Sequence, residues 1–416
     1  MITDYVHSVG TYLLSYLPGG YWTSPHQDEL LRRMEDAVRD NDVSSMQTLF
    51  ERADDAEFLM RAMCSKKLSP LVMAVKLGSD QTLRFMLEHL PESANGANFR
   101  DAQDIPVLIW AASAGHYETV AVLLEYGADV NVTMTHMSTP LMSAARSNHT
   151  QVVKLLCDNG ADVNAADVSG RTALAEAFLP FFHPIDPLLV THLIDAGADL
   201  NAPDISGETP LMHGLSRGVS TDAMRVLITR GADVRTQNVG GKTPLRRAAE
   251  MGNVDIVACL LEHPDVNVNA LDARGRTALA GAVEHGQLAI VDMLLRAPGI
   301  NVDTRLFPRR CTVLFYAASH PGPNAQVMVN HLLDSGAHVN AQDFYGQTPL
   351  MQAIRYGRQD IADIFRQRGA DDRVENMLGY SAQQMAAVAH TLFIQNMFLD
   401  DSAHRMPGFR VGAEQG

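Results

Sequence analysis

Sixteen histidines and four cysteines are the side chains of this 416-residue chain best suited to acid–base, nucleophilic or metal chemistry, and their spacing organises none of it. There is no His-Glu-x-x-His helix and no cysteine–histidine ligand spacing, so a metal site has no basis in the sequence. Cys64, Cys157, Cys259 and Cys311 lie far apart with no Cys-x-x-Cys pair. The expectation is buried, reduced thiols in a reducing compartment. A Gly-x-x-x-x-Gly-Lys phosphate loop is also missing. The chain therefore reads as a non-enzyme with no metal and no cofactor, and its chemistry must be recognition.

The elements that position recognition residues repeat at about thirty-three residues. Gly-Ala-Asp or a close relative begins at Gly127, Gly160, Gly197, Gly231, Gly336 and Gly369, with His263-Pro264-Asp265 and Ala297-Pro298-Gly299 in the two remaining slots. Helix-start triplets follow the same beat at Thr139, Thr172, Thr209, Thr243, Thr277, Thr312 and Thr348. Threonine offers an oxygen to orphan amides at a helix start, and proline is tolerated next because its missing N–H had no partner there. Small pairs such as Ala144-Ala145 and Ala248-Ala249 allow close helix approach, and runs such as Val152 to Leu156 give helix two its apolar face. Glycine then ends helix two in the left-handed conformation. The stretch that follows, as in Asp167-Val168-Ser169-Gly170, has turn chemistry and projects as a loop or hairpin.

With these elements in register, the chain closely resembles the ankyrin repeat family, whose pattern runs Asp-x-x-Gly-x-Thr-Pro-Leu-His-x-Ala-Ala, a Gly-His turn, a leucine-rich helix and Gly-Ala-Asp-Val-Asn. The resemblance covers roughly residues 28 to 400, as about ten units with atypical ends. It implies an all-α solenoid of stacked helix-turn-helix units with projecting β-hairpin loops. It also implies a protein-binding scaffold or adaptor, as a cellular regulator or a host-directed effector; a substrate-recognition subunit or enzyme inhibitor is the alternative. Binding surfaces in the family use the hairpin tips and the exposed end of helix one. Carried over copy by copy, those positions form two patches. One is aromatic, with Phe344 and Tyr345 on a tip and Arg355 and Tyr356 at the adjoining helix end. The other is basic, with Lys242, Arg274, Arg276, Arg309 and Arg310 on successive tips, supported by Arg246-Arg247, and with His285 at a helix end. The family also implies a modification reading: Asn131, Asn164, Asn201 and Asn340 sit where asparaginyl hydroxylases act, or else they hold the hairpin through side-chain hydrogen bonds. His116 and His149 occupy the Gly-His turn, where local hydrogen bonds are expected. Three tips depart from the pattern, at Asp104-Ile105-Pro106, at Thr133 to Met137 and at Arg309-Arg310-Cys311, and distortion is expected there.

Composition agrees with a single elongated array of residues 28–400, flanked by an N-terminal segment (1–27) and a polar, mobile tail (401–416). A formal charge of −15 argues against nucleic acid, whose binding draws on clustered cations. No apolar run is long enough to cross a membrane, and the first lysine or arginine is Arg32, so neither secretory nor mitochondrial targeting is expected. The expected state is a cytoplasmic monomer, with nuclear location or delivery into a host cell left open. Residues 1–22 place Ile2, Tyr5, Val6, Val9, Leu13, Tyr16 and Leu17 near helical spacing, as a cap on the first repeat, a docking helix or a membrane-surface contact. Two proline-bearing insertions stretch the repeat, from Thr172 to Thr209 (37 residues, with Phe181-Phe182) and from Thr312 to Thr348 (36 residues). Such insertions map to one face and either bind or drift neutrally.

Overall fold

A computed structural model of the chain describes residues 25–51, 58–60, 62–63, 69–90, 95–179, 185–215 and 221–389. The aromatic N-terminus, Cys64, Phe181-Phe182 and the segment after residue 389 lie outside the described residues. The chain divides into two compact units, residues 1–135 and 136–416.

In the first unit the described helices form the pairs α1 (Pro25–Arg39) with α2 (Val43–Phe50), α3 (Pro70–Leu77) with α4 (Asp80–His89), and α5 (Val107–Ala114) with α6 (Tyr117–Glu125). Leu30, Met34, Ala37 and Val38 give α1 one buried stripe, which leaves a polar outer face as the pattern of an end repeat requires. Asn41 locks the next pair in place: its Oδ1 accepts from the amides of Gln81 and Thr82, both at 3.1 Å.

The second unit continues as α7 (Pro140–Arg146), α8 (Thr150–Asp158), α9 (Ala173–Ala177), α10 (Pro187–Asp195), α11 (Pro210–Leu215), α12 (Thr221–Thr229), α13 (Pro244–Met251), α14 (Val254–Leu261), α15 (Ala278–Glu284), α16 (Leu288–Arg296), α17 (Val313–Ser319), α18 (Ala325–Asp334), α19 (Pro349–Arg355), α20 (Gln359–Gln367) and α21 (Ala382–Ala389). Helix one of each repeat packs on helix one of the next, as α7 does on α9 and α13 on α15; helix two stacks likewise, as α8 does on α10. Local chemistry explains the boundaries. The hydroxyls of Thr139, Thr243 and Thr348 accept from the amides three residues on, each with proline at the first helical position. At Thr172 and Thr312 the helix starts in register without that bond. Gly160, at φ 84°, closes α8 and sends its neighbour's amide back into the helix, from Ala161 N to Leu156 O at 3.0 Å. Buried Leu, Val, Ile, Met and Ala side chains fill the space between successive pairs.

The loops between repeats are compact turns, and among the described residues they form only isolated bridges, such as Leu306 with Cys311, rather than strands. In most turns an aspartate organises the loop: Asp204 Oδ1 accepts from Ser206 N at 2.7 Å and Glu208 N at 2.9 Å. At the first irregular tip Asp101 Oδ1 accepts from Gln103 N and Ile105 N, and Asp104 (φ 61°) there, like Met137 (φ 59°) at the second, adopts the left-handed conformation that glycine holds elsewhere. The third is altered. Arg310 (φ 54°) also turns left-handed, but the loop closes from Leu306 to Cys311, one residue longer than the closure of Asp272 on Arg276.

Candidate binding surface

All but one of the tips in the second unit are fastened by a backbone bond to the one before. The amides of Val168, Ile205, Val239, Ala273, Phe344 and Met377 donate to the carbonyls of His136, Ser169, Ser206, Gly240, Arg309 and Tyr345, at 2.7 to 3.2 Å. Close approach requires a residue without a β-carbon. A Cβ on Gly241, itself at φ 70°, would lie 2.5 Å from Ala273 N. Between the 272–276 turn and the longer loop after it, the Phe307 ring packs directly over Gly275. This stacking holds the second tip residue outward, and that position is apolar in repeat after repeat: Val168, Ile205, Val239 (79% exposed), Phe344 (57%) and Met377 (70%). Phe307 joins this row, with Tyr345, Leu378 and Tyr380 beside it, all exposed.

The aromatic patch expected from the sequence is partly assembled. Phe344 and Tyr345 meet edge to face, with ring centroids 5.4 Å apart at 88°. Beneath them Asp343 Oδ1 accepts from Tyr345 N at 2.9 Å and Gln347 N at 2.8 Å. Burial pushes the Asp343 carboxyl above its ordinary range, against the lowering effect of those bonds and of Arg309 and Arg355 nearby. Arg355 therefore belongs to the foot of this tip. Tyr356 stands half-buried at the C-cap of α19, with its amide bonded into the helix.

The basic patch is not one patch. Lys242 Nζ contacts Glu250 at 2.9 Å, and Arg276 contacts Asp272 at 3.2 Å and Glu284 at 3.1 Å. Arg246, expected to support a surface field, is buried instead: its side chain is 1% exposed and lies 3.2 Å from Glu250, 3.6 Å from Asp272 and 3.6 Å from Glu284. Its nitrogens make no well-formed hydrogen bond, so the attachment is Coulombic. Three cations thus face three carboxylates at the root of the tips. Arg274 and Arg310 are exposed, and among the described residues neither side chain has an ion pair, while Arg309 is half-buried and directs its charge toward Asp343. His285 caps α15, with Nδ1 2.9 Å from Gly281 O.

A second ionic group lies earlier in the same unit and was not foreseen from the sequence. Arg146 and Arg171 pair with the fully buried Glu176, Arg247 pairs with Glu208, and His213 sits 3.2 Å from Asp204. Burial lowers the His213 pKa, aided by Arg171 and opposed by Asp204 and Glu208. A signal was present: Glu176, His213, Arg247 and Gly281 all fall four residues after the helix-start threonine, on the side of helix one that faces the loop roots.

The asparagines act between repeats rather than within a hairpin. Asn164 Nδ2 donates to Gly197 O at 3.0 Å, and its Oδ1 accepts from Asp199 N at 2.7 Å. Asn201 accepts from Asp233 N, and Asn340 from Asp371 N. Asn131 contributes its amide to Asp129 in its own turn. His116 likewise reaches back a repeat, with Nε2 3.1 Å from Lys76 O. Burial raises the thiol pKa at Cys157 to about 11 and also raises those of Cys259 and Cys311. These cysteines are thiols at neutral pH, which is poor chemistry for a nucleophile.

Comparison with known proteins agrees with the geometry. A family model described as ankyrin repeats in three copies matches residues 34–134, 186–272, 217–306 and 303–376, and a single-repeat model matches 136–168. Two Arabidopsis thaliana proteins, the ADP-ribosylation factor GTPase-activating proteins AGD4 and AGD2, are each 42% identical over 95 and 89 residues, or 22% and 21% of this chain. The probable E3 ubiquitin-protein ligase XBOS32 of Oryza sativa subsp. japonica is 32% identical over 104 residues, 25% of the chain. These matches span only 12%, 11% and 20% of the respective relatives. Among the described residues no helix is long and apolar enough to cross a membrane.

Proposed function

Because this chain belongs to the ankyrin repeat family, and is thereby a protein–protein interaction module, we propose that it works without catalysis, as a scaffold or adaptor gripping a protein partner along the tip edge of its second unit. One observation carries the proposal: the outward tip position is apolar and exposed in repeat after repeat, although nothing in the fold needs an apolar residue there. Contiguous exposed apolar surface marks interaction sites, and aromatic residues with arginine supply most binding energy in small areas. Cytoplasmic action as a monomer fits this role, as does delivery into a host cell.

The relatives sharpen a second reading. Their names describe a GTPase-activating protein and a probable ubiquitin ligase, each sharing only a short stretch with this chain. A recognition subunit, in which the repeats select a target for an enzyme, is consistent with that limited overlap. The asparagine clasps favour a structural role for Asn164, Asn201 and Asn340; incubation with an asparaginyl hydroxylase and intact-mass measurement would reveal one added oxygen per modified site.

The test is affinity purification with the wild type beside Phe344→Ala/Tyr345→Ala. Partners retained by the wild type and lost from the variant support the tip edge. An identical partner set places binding elsewhere.

A further inference from the structure

Within the second unit the tips change character at Arg274. The earlier ones present aliphatic side chains, Val168, Ile205 and Val239, and their nearby cations are engaged: Arg171 by Glu176 and Lys242 by Glu250. From Arg274 onward the outward residues are Phe307, Phe344, Tyr345, Met377, Leu378 and Tyr380. Between them stand Arg274 and Arg310, exposed and without ion pairs among the described residues. Two carboxylates of this stretch are withdrawn, whereas Glu375 stays exposed beside the Met377 tip. Asp272 is held by Arg246 and Arg276, and Asp343 is committed to the amides of its own turn, its carboxyl raised by burial. Cationic and aromatic side chains therefore alternate along an edge of a chain whose net charge is −15.

We propose that the tip edge from Arg274 to Tyr380 binds an extended acidic segment of a partner protein, in which aspartate or glutamate alternates with aromatic or aliphatic anchors. This rests on the protein-binding role proposed above and names its ligand class. Carboxylates of the segment meet Arg274 and Arg310, and its apolar side chains lie against Phe307, the Phe344–Tyr345 pair and Met377. The segment is extended because successive tips follow in a row, through the Phe307 ring over Gly275 and the bonds from Phe344 N to Arg309 O and Met377 N to Tyr345 O, and a chain must run along that row to reach more than one. Charge complementarity decides against other occupants. A basic segment would bring like charges against Arg274 and Arg310, a repulsion that counts heavily in specificity. A nucleic acid carries far more phosphates than this edge has free cations, and the surrounding negative field opposes it.

The experiment is selection of a random linear peptide library, displayed on phage, against the full-length wild type, Arg274→Glu/Arg310→Glu and Phe344→Ala/Tyr345→Ala. All four substituted side chains are exposed, and melting curves establish that each variant is folded. The wild type should enrich peptides that combine acidic with aromatic or aliphatic residues. A synthetic copy of an enriched peptide should bind about tenfold or more weakly to each variant, and its affinity should fall with added salt. The proposal is overturned if enrichment shows no acidic bias, if enriched acidic peptides are indifferent to Arg274→Glu/Arg310→Glu, or if a labelled oligothymidylate binds this edge more tightly than the peptides. Non-acidic peptides that still require Phe344 and Tyr345 would defeat the acidic inference alone and leave the protein-binding role intact. Partner capture unaffected by Phe344→Ala/Tyr345→Ala would place protein binding away from this edge and overturn both the tip-edge reading and this one.

Discussion

Arg274 and Arg276 stand two residues apart in one turn, and the fold uses them in opposite ways. Arg274 is exposed and, among the described residues, meets no carboxylate, whereas Arg276 turns toward the root and is held by Asp272 and Glu284. The same division runs through the unit: a tip edge of exposed apolar and cationic side chains, and behind it a root layer where charge is buried and balanced. Residue type did not decide this. What decides is whether helix one offers a carboxylate within reach, as Glu250 does for Lys242 and Glu284 for Arg276. Root residues are committed to stability, and tip residues are available for recognition.

The contrast is broken most forcefully at Arg246. Replacement by alanine leaves Glu250, Asp272 and Glu284 with an uncompensated buried charge, and should cost about 3–5 kcal/mol in chemical denaturation. Arg274→Ala should stay within about 0.5 kcal/mol of wild type. Similar small losses at both positions would erase the distinction between root and tip. Gly281→Ala comes next. Its new Cβ would lie 1.5 Å from Arg246 Nη1 and 2.7 Å from Cζ, an overpacking that should cost about 1–3 kcal/mol. In an Arg246→Ala background most of that penalty should vanish, since the space is then empty; an unchanged penalty would show that Arg246 is not the neighbour that matters.

Asn164→Ala removes two bonds to the following repeat and should cost about 1–2 kcal/mol, read as a lower unfolding midpoint. The smallest effect is the pH response of His213. Its pKa is lower in the folded chain than its ordinary value of 6.5, so its contribution is fully present above pH 6.5. As pH falls below 6.5 the unfolded chain takes up the proton first and stability declines, until pH passes the folded pKa. His213→Gln should flatten that decline between pH 7 and 5. Some slope should remain, because His320 is lowered in the same sense by burial and Arg358. A variant as pH-sensitive as the wild type would remove His213 from the account.

Most of the architecture was legible because its signals are local. Thr139-Pro140 caps α7 and Gly160 ends α8 through contacts within a few residues, so the spacing of these types reports the fold directly. The roles of Asn164 and His116 were half legible: hydrogen bonding followed from residue type, but its reach into a neighbouring repeat is a property of stacking. The root layer was hidden for the same reason. Arg246 meets Asp272 and Glu284 only because the next repeat lies against it. Lys242 and Arg276 read as free tip cations because the helix-one carboxylates that hold them, Glu250 and Glu284, lie eight residues away across the turn. Phe307 escaped notice because the extra residue in its loop moves it out of the tip register that exposes Phe344.

The division between tip and root is tested most directly by comparing Phe344→Ala/Tyr345→Ala with Lys242→Ala/Arg276→Ala, measuring partner capture and unfolding midpoint on the same preparations. The tip pair should lose the partner and melt with the wild type, and the root pair should melt lower yet retain the partner while folded. A root pair that loses the partner at wild-type stability, beside a tip pair that keeps it, would contradict the account.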